Sequence, residues 1–443
     1  MNRGESSDMN RVYFLMACGF LSFSSAVDAQ PYTWTTIAGT PNVFGSADGT
    51  NQNVVFNYPD GLALDPSGTL YISDAFNCTI RRMRRFGSDL VVDTLVGRAG
   101  VRGSTDGTNN NALFSLQDGI ALDPSGNLYV ADYLNCTIRK VSPVGTNWVV
   151  TTLAGLAGST GRVDGTNNGA RFWSPEGIAV HPSGTLLVTE LDNHDVRAVT
   201  PVGTNWVVTT IAGRNMGSAD GTNNAAQFRD PYDIATDPGG NAFVPDNANC
   251  DVRELTLIGT NWVTTRIAGL AQVRGNADGT NSDARFGYPE SIAADNAGNV
   301  FVGDSQSNTV RKITHVGTNW VVTTIGGMPG VSGTADGTGS AARFESVQAI
   351  AVDADGNLYV ADAYACTIRF GRFIPQLGVT VSGTQLVLSW PVAASNYVLE
   401  TSSTLLSGNS WTPVASAPVL LGDTLRITNL VEAPTAFFRL RRP

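Results

Sequence analysis

Short apolar runs, separated by turns rich in Gly, Pro, Asn and Asp, dominate the chain as far as residue 373. In Gly119-Ile120-Ala121-Leu122-Asp123 apolar and small residues alternate, as a strand on a crowded inner wall requires. Pro124-Ser125-Gly126-Asn127 then reads as a tight turn, with Pro setting φ and Gly taking a positive φ. Leu128-Tyr129-Val130-Ala131-Asp132 is a second strand rich in strand formers, and residues 136–141 are a third. Gly145-Thr146-Asn147 turns the chain into a fourth strand at 148–153. Four antiparallel strands at this spacing predict one blade of a β-propeller.

The unit recurs. The run Asp-Gly-Thr begins at Asp48, Asp106, Asp164, Asp220, Asp278 and Asp336, and eight residues after each Asp stands Phe56, Phe114, Phe172, Phe228, Phe286 or Phe344. Copies are 58 residues apart, once 56, a period that marks a repeat architecture. Strand triplets start near Gly61, Gly119, Gly177, Asp233, Ser291 and Ala349. The first fourth-strand pattern, at 35–37, precedes any triplet, and the last triplet has none after it. Tyr32–Ala38 is therefore expected to supply the outer strand of the last blade and to close the ring. After Phe373 the period stops, and short strand patterns with turn residues between them predict a small β-sandwich over 374–443. The expected fold is all-β: a six-bladed propeller over 30–373, then the sandwich.

The blades resemble NHL repeats, as in Gly177-Ile178-Ala179-Val180-His181-Pro182-Ser183-Gly184 and Asp132-Tyr133-Leu134-Asn135-Cys136-Thr137-Ile138-Arg139. The Asn-His pair of that family is present once, as Asn193-His194; elsewhere Cys or Asn308 stands in the His position. The resemblance covers roughly three quarters of the chain and implies a six-bladed, TolB-like propeller, a scaffold that hosts both binders and enzymes. The tail resembles fibronectin-like C-terminal modules through its Trp390-Pro391 and Phe438-Arg439-Leu440 ends.

Composition narrows the function. A formal net charge of −10 argues against nucleic acid, which demands a basic face, and against anionic lipid. Val12 to Phe23 is apolar but too short to span a bilayer, and Val27-Asp28-Ala29 places small residues before a cleavage point. Residues 1–29 thus read as a signal peptide of a secreted or cell-surface, bacterial, monomeric protein. Leu15-Met16-Ala17-Cys18-Gly19 offers lipoprotein anchoring at Cys18 as the alternative. Cys78, Cys136, Cys250 and Cys366 share one repeat position, too far apart around a ring to pair, and are expected as buried thiols.

Two recurrences invite a catalytic reading. An acid ends every second strand (Asp74, Asp132, Glu190, Asp246, Asp304, Asp362), and seven residues later stands Arg81, Arg139, Arg197, Arg253, Arg311 or Arg369. Six copies of one active site make little sense, so an ion pair locking each loop is expected. The Asp-Gly-Thr-Asn runs lack the further carboxylates of a calcium loop and are expected to turn the chain and cap a helical turn. Function should lie where the copies differ, on the face carrying the long loops. Just before each inner strand stand Asp60, Asp118, Glu176, Tyr232, Glu290 and Gln348, expected to ring the mouth of the central channel. After the strand-ending acids the loops diverge at Phe76, Tyr133, Asp192, Asn247, Gln306 and Tyr364, with Phe76, Tyr133 and Tyr364 as a stacking surface. This face suits a non-catalytic scaffold binding a protein or glycan, with no cofactor. The alternative is a metal-dependent lactonase or lyase with calcium held by the acid ring at the channel mouth.

Overall fold

The computed structural model describes residues 32–382, 385–391, 397–402, 411–421, 424–430 and 437–441. The leader and the Cys18 alternative lie outside them.

Six antiparallel sheets of five strands make up the first compact unit, Thr33–Arg372. In the second blade the inner strand is Gln117–Leu122, followed outward by Leu128–Asp132, Thr137–Val144 and Asn147–Gly155. The fifth strand corrects the sequence reading. It is the Gly107–Thr108 pair of the Asp-Gly-Thr-Asn run, which lies antiparallel on the outer edge against Val150 and Val149. A single helical turn, Asn109–Asn111, does follow it, but Thr108 gives that turn no side-chain cap. Asn109 acts instead: its Oδ1 accepts from the Trp148 amide at 2.8 Å, stapling the turn to the fourth strand. The chain then crosses inward through Phe114, which is fully buried, to the next inner strand.

Closure is by the N-terminus. Tyr32–Ala38 lies in the last blade between Thr367–Phe373 and Gly337–Thr338. It is the fourth strand, not the outermost, because the Gly337–Thr338 edge lies beyond it, with Trp34 opposite Gly337. Trp34 is fully buried and its Nε1 donates to the Ile325 carbonyl at 3.2 Å. Glycine makes room for it: a Cβ on Gly371 would sit 2.6 Å from the indole ring.

The fourth blade departs from its siblings. Its inner strand, expected to start at Asp233, is only Ala235–Thr236. The Asp233 carboxylate bonds the amides of Ile234 and, across the blade gap, Ile292, which competes with strand pairing. The four cysteines at the shared repeat position are buried and unpaired. At this position each takes a left-handed φ near 55–58°, ending the short turn before the third strand.

The second unit contains sheets of four and three antiparallel strands. One orders as Gly378–Ser382, Gln385–Pro391, Thr424–Leu430, Val419–Leu421 and the other as Thr412–Pro413, Val398–Ser402, Phe437–Arg441. Leu386, Leu388 and Trp390 are buried at alternate positions of one strand, and Leu399, Ile427, Phe437 and Leu440 are buried as well.

Candidate functional site

The loop-rich face is held from beneath by the repeated arginines. Arg139 is wholly buried, and its fork makes four hydrogen bonds. Nη1 donates to Asp132 at 2.6 Å and to the Leu113 carbonyl; Nη2 donates to Asp106 at 2.8 Å and to the Thr105 carbonyl. The guanidinium also lies over the Phe114 ring, 5.2 Å from its centre. All three recurrent signals of the sequence (strand-end acid, arginine, Asp-Gly-Thr run) therefore meet at one cation. Equivalent Arg–Asp bridges join Arg81 to Asp48, Arg197 to Asp164, Arg253 to Asp220, Arg311 to Asp278 and Arg369 to Asp336.

The strand-end acid has a second task. Its other oxygen accepts from a backbone amide three residues before a mouth position: Asn57 to Asp74, Ser115 to Asp132 and Trp173 to Glu190. The following residue turns left-handed, with φ of 59° at Tyr58, 49° at Leu116, 53° at Ser174 and, in the fourth blade, 58° at Asp230. Bulky residues rarely hold such a φ, so the surroundings must impose it. The turn delivers Asp60, Asp118, Glu176 and Tyr232 to the channel.

There the residues converge. Asp60, Asp118, Glu176, Tyr232 and Gln348 line a cavity of about 280 Å³ at the axis, with walls of Ala, Gly, Ile, Leu and Val below them. Asp233, which the sequence reading took only as the start of a strand, lines it too. Its position carries Gly in three other blades, so it fell outside the ring position under comparison. Glu290 joins through Gln348, whose Nε2 donates to it at 2.6 Å and to Ser346 Oγ at 3.0 Å.

Charge is crowded. Burial pushes Asp60 up to about 7, with Glu290 and Asp233 adding to the rise and a hydrogen bond with Asp118 opposing it. Burial, then Glu176 and Asp60, holds Asp118 well above the usual carboxylate range. Burial and Asp60 do the same to Glu176, against a hydrogen bond from Tyr232. Asp233 is pushed up to about 7 by burial, despite its two amide bonds. Asp60, Asp118 and Glu176 each feel another's charge or hydrogen bond, so these three titrate together, all with raised proton affinity. Among the described residues no three His, Cys, Asp or Glu side chains converge as a metal-binding group.

The aromatic residues divide. Phe76 stacks on Tyr58 with centroids 4.6 Å apart and planes 12° apart, and Tyr364 meets Tyr58 edge-on at 5.5 Å. Phe76 and Tyr364 are 50% and 63% exposed. Tyr58 was not singled out in the sequence; its left-handed position, not its residue type, brings it between them. Tyr133 is not part of this set. It hydrogen-bonds to Ser174, whose hydroxyl also donates to Asp192. Asn247 is buried and donates to the Pro289 carbonyl at 3.4 Å, whereas Gln306 stands exposed on its loop. The histidines are engaged elsewhere: His181 with Ser183 and Trp262, His194 beside Asp230, His315 against Trp320.

No family model matches the chain. Over 156 residues it is 32% identical to Protein SUPPRESSOR OF QUENCHING 1, chloroplastic, of Arabidopsis thaliana, a match covering 34% of this chain and 14% of that protein. The chain spans only 14% and 13% of the lengths of two curated relatives it matches. A protein of unknown function from Bacteroides thetaiotaomicron superposes with a TM-score of 0.59 at 19% identity, covering 77% of this chain and 76% of that one. An auxiliary nutrient binding protein from Bacteroides ovatus gives 0.56 at 17% identity, covering 77% of each. These solved structures share the six-bladed, propeller-like fold.

Proposed function

We propose that this chain is a secreted or surface-held NHL-type propeller that binds a protein or glycan at its loop-rich face without transforming it. One observation carries the reading: exposed Phe76 and Tyr364, packed on a half-buried Tyr58, beside a mouth lined by buried carboxylates. Flat aromatic faces take up sugar rings or side chains, while the acids and Gln348 fix orientation by hydrogen bonds. Ligand positioning needs no nucleophile, and each histidine has a neighbour away from the channel lining. A solved neighbour of the same fold is named an auxiliary nutrient binding protein; at 17% identity that likeness supports the scaffold and leaves the ligand open. The apolar N-terminal stretch supports export, and we assign the C-terminal unit a fibronectin-like role in surface attachment. Loss of cell-surface retention on deleting residues 374–443 is its test.

A metal-dependent lactonase or lyase draws on one specific feature, the raised proton affinity of Asp118 and Glu176, which suits a general acid. Stoichiometric calcium in purified protein, lost in Asp118→Asn, would favour it.

Glycan and peptide arrays probed with the whole protein test the binding reading. A ligand bound by the parent should lose at least tenfold in affinity, about 1.4 kcal/mol, in the Phe76→Ala/Tyr364→Ala double variant. Unchanged binding by that variant would remove the site from this face.

A further inference from the structure

A second cluster on the loop-rich face has not yet been given a task. It gathers around Ser174, whose left-handed turn is the blade-three counterpart of Tyr58. Where blade one stacks Phe76 on Tyr58, blade three bonds Asp192 to Ser174, Oγ donating to Oδ2 at 2.5 Å. Trp173 precedes Ser174 and is 46% exposed, whereas every other tryptophan of the chain is buried or half-buried. Its position carries Asn57, Ser115, Arg229, Gly287 and Glu345 in the other blades, so the repeat itself does not call for an indole. The half-buried Tyr133 reaches the cluster from blade two and hydrogen-bonds to Ser174.

Proton accounting fixes what this cluster offers. A serine hydroxyl has one proton, and Ser174 gives it to Asp192. Tyr133 must then donate its own proton to Ser174 Oγ. Burial and the charges of Glu176, Asp192 and Asp118 outweigh that bond and keep the phenol protonated. With both protons directed inward, only acceptors stay open: the lone pairs of the Tyr133 hydroxyl and Oδ1 of the exposed Asp192, which has no hydrogen-bond partner among the described residues. A ligand must therefore bring donors, and an anionic one would set its charge against Asp192 and Glu176. It also meets the flat apolar face of Trp173.

Resting on the binding reading above, we propose that Trp173, Asp192 and Tyr133 form a subsite for a neutral sugar ring, which makes the ligand of this face a neutral glycan. Vicinal hydroxyls present two donors at one edge of such a ring, matching the two open acceptors. The C–H face of the same ring lies flat on an indole. The subsite is separate from the Tyr58, Phe76 and Tyr364 group and shares no side chain with it.

Arrays of neutral, uronate-bearing and sulfated oligosaccharides and of peptides, probed with the full chain, test this, with titration calorimetry on the tightest neutral binder. We expect neutral oligosaccharides to be retained. Trp173→Ala removes the platform and should weaken binding about tenfold or more. Asp192→Asn keeps the side chain's shape and should cost as much, because its carbonyl takes the Ser174 proton and leaves an NH2 donor facing the ligand's donors. Neither residue belongs to the core, so unfolding temperatures should stay within about 2 °C of the parent. Neutral-sugar binding unchanged in both variants overturns the subsite; if it falls in Phe76→Ala/Tyr364→Ala, the binding reading stands. Retention of acidic glycans or peptides in place of neutral sugars overturns the ligand class and also leaves that reading intact. Arrays that retain nothing overturn both.

Discussion

Arg139 shows how one residue can be both structural and necessary to a site it never touches. It is buried between a fully buried acid, Asp132, and a half-exposed one, Asp106, whose side chain is 47% exposed. Arg139→Ala leaves Asp132 buried without its cation and should cost about 3–5 kcal/mol, read by urea unfolding. Asp106→Ala should cost less than about 1 kcal/mol, because water screens that partner. The Asp132–Arg139 pair was legible as a seven-residue spacing. The Asp106 partner was not, since 33 residues and a whole strand reversal separate it from Arg139. The channel acids make a further prediction. Asp60 and Asp233, near 7 when folded, sit above an unfolded carboxylate near 4, so they bind protons more tightly in the native state. Their contribution to stability is present in full below about pH 4 and is lost as pH rises through about 7. Asp118→Asn, which removes one repelling carboxylate, should therefore raise the melting temperature by about 1–3 °C at pH 8 and by less at pH 5, in calorimetric scans. A larger gain at pH 5 would contradict the crowding described here.

At the level of strands, closure of the ring by the first described strand follows from counting: a fourth strand precedes the first triplet. The two-residue edge strands escaped because Gly-Thr carries no strand periodicity; only the neighbouring fourth strand makes it one. Closure hangs on Trp34, set between blade five and blade six through Ile325 and, edge-on at 5.1 Å, Phe344. Trp34→Ala should destabilise the chain by about 3–5 kcal/mol through the cavity it leaves. Removing residues 1–38 should do more than that. It bares the ladders of Thr367–Phe373 and Gly337–Thr338, and light scattering should report self-association.

Across the whole molecule, six equal supports carry an unequal mouth. The period made the propeller and its loop face legible, because every copy repeats the same strands and turns. The site was legible only by position: residues 60, 118, 176, 232, 290 and 348 could be aligned, but Asp233 and Tyr58, one and two places away, joined through local backbone turns that no spacing displays. The claim that this face binds is most directly tested by hydrogen exchange on the whole protein with an array-identified ligand. Protection should concentrate in residues 57–60, 75–77, 115–118, 173–176 and 345–348, around the channel mouth. Protection confined to the turns at 65–69, 123–127 and 181–185, on the opposite face, would contradict it.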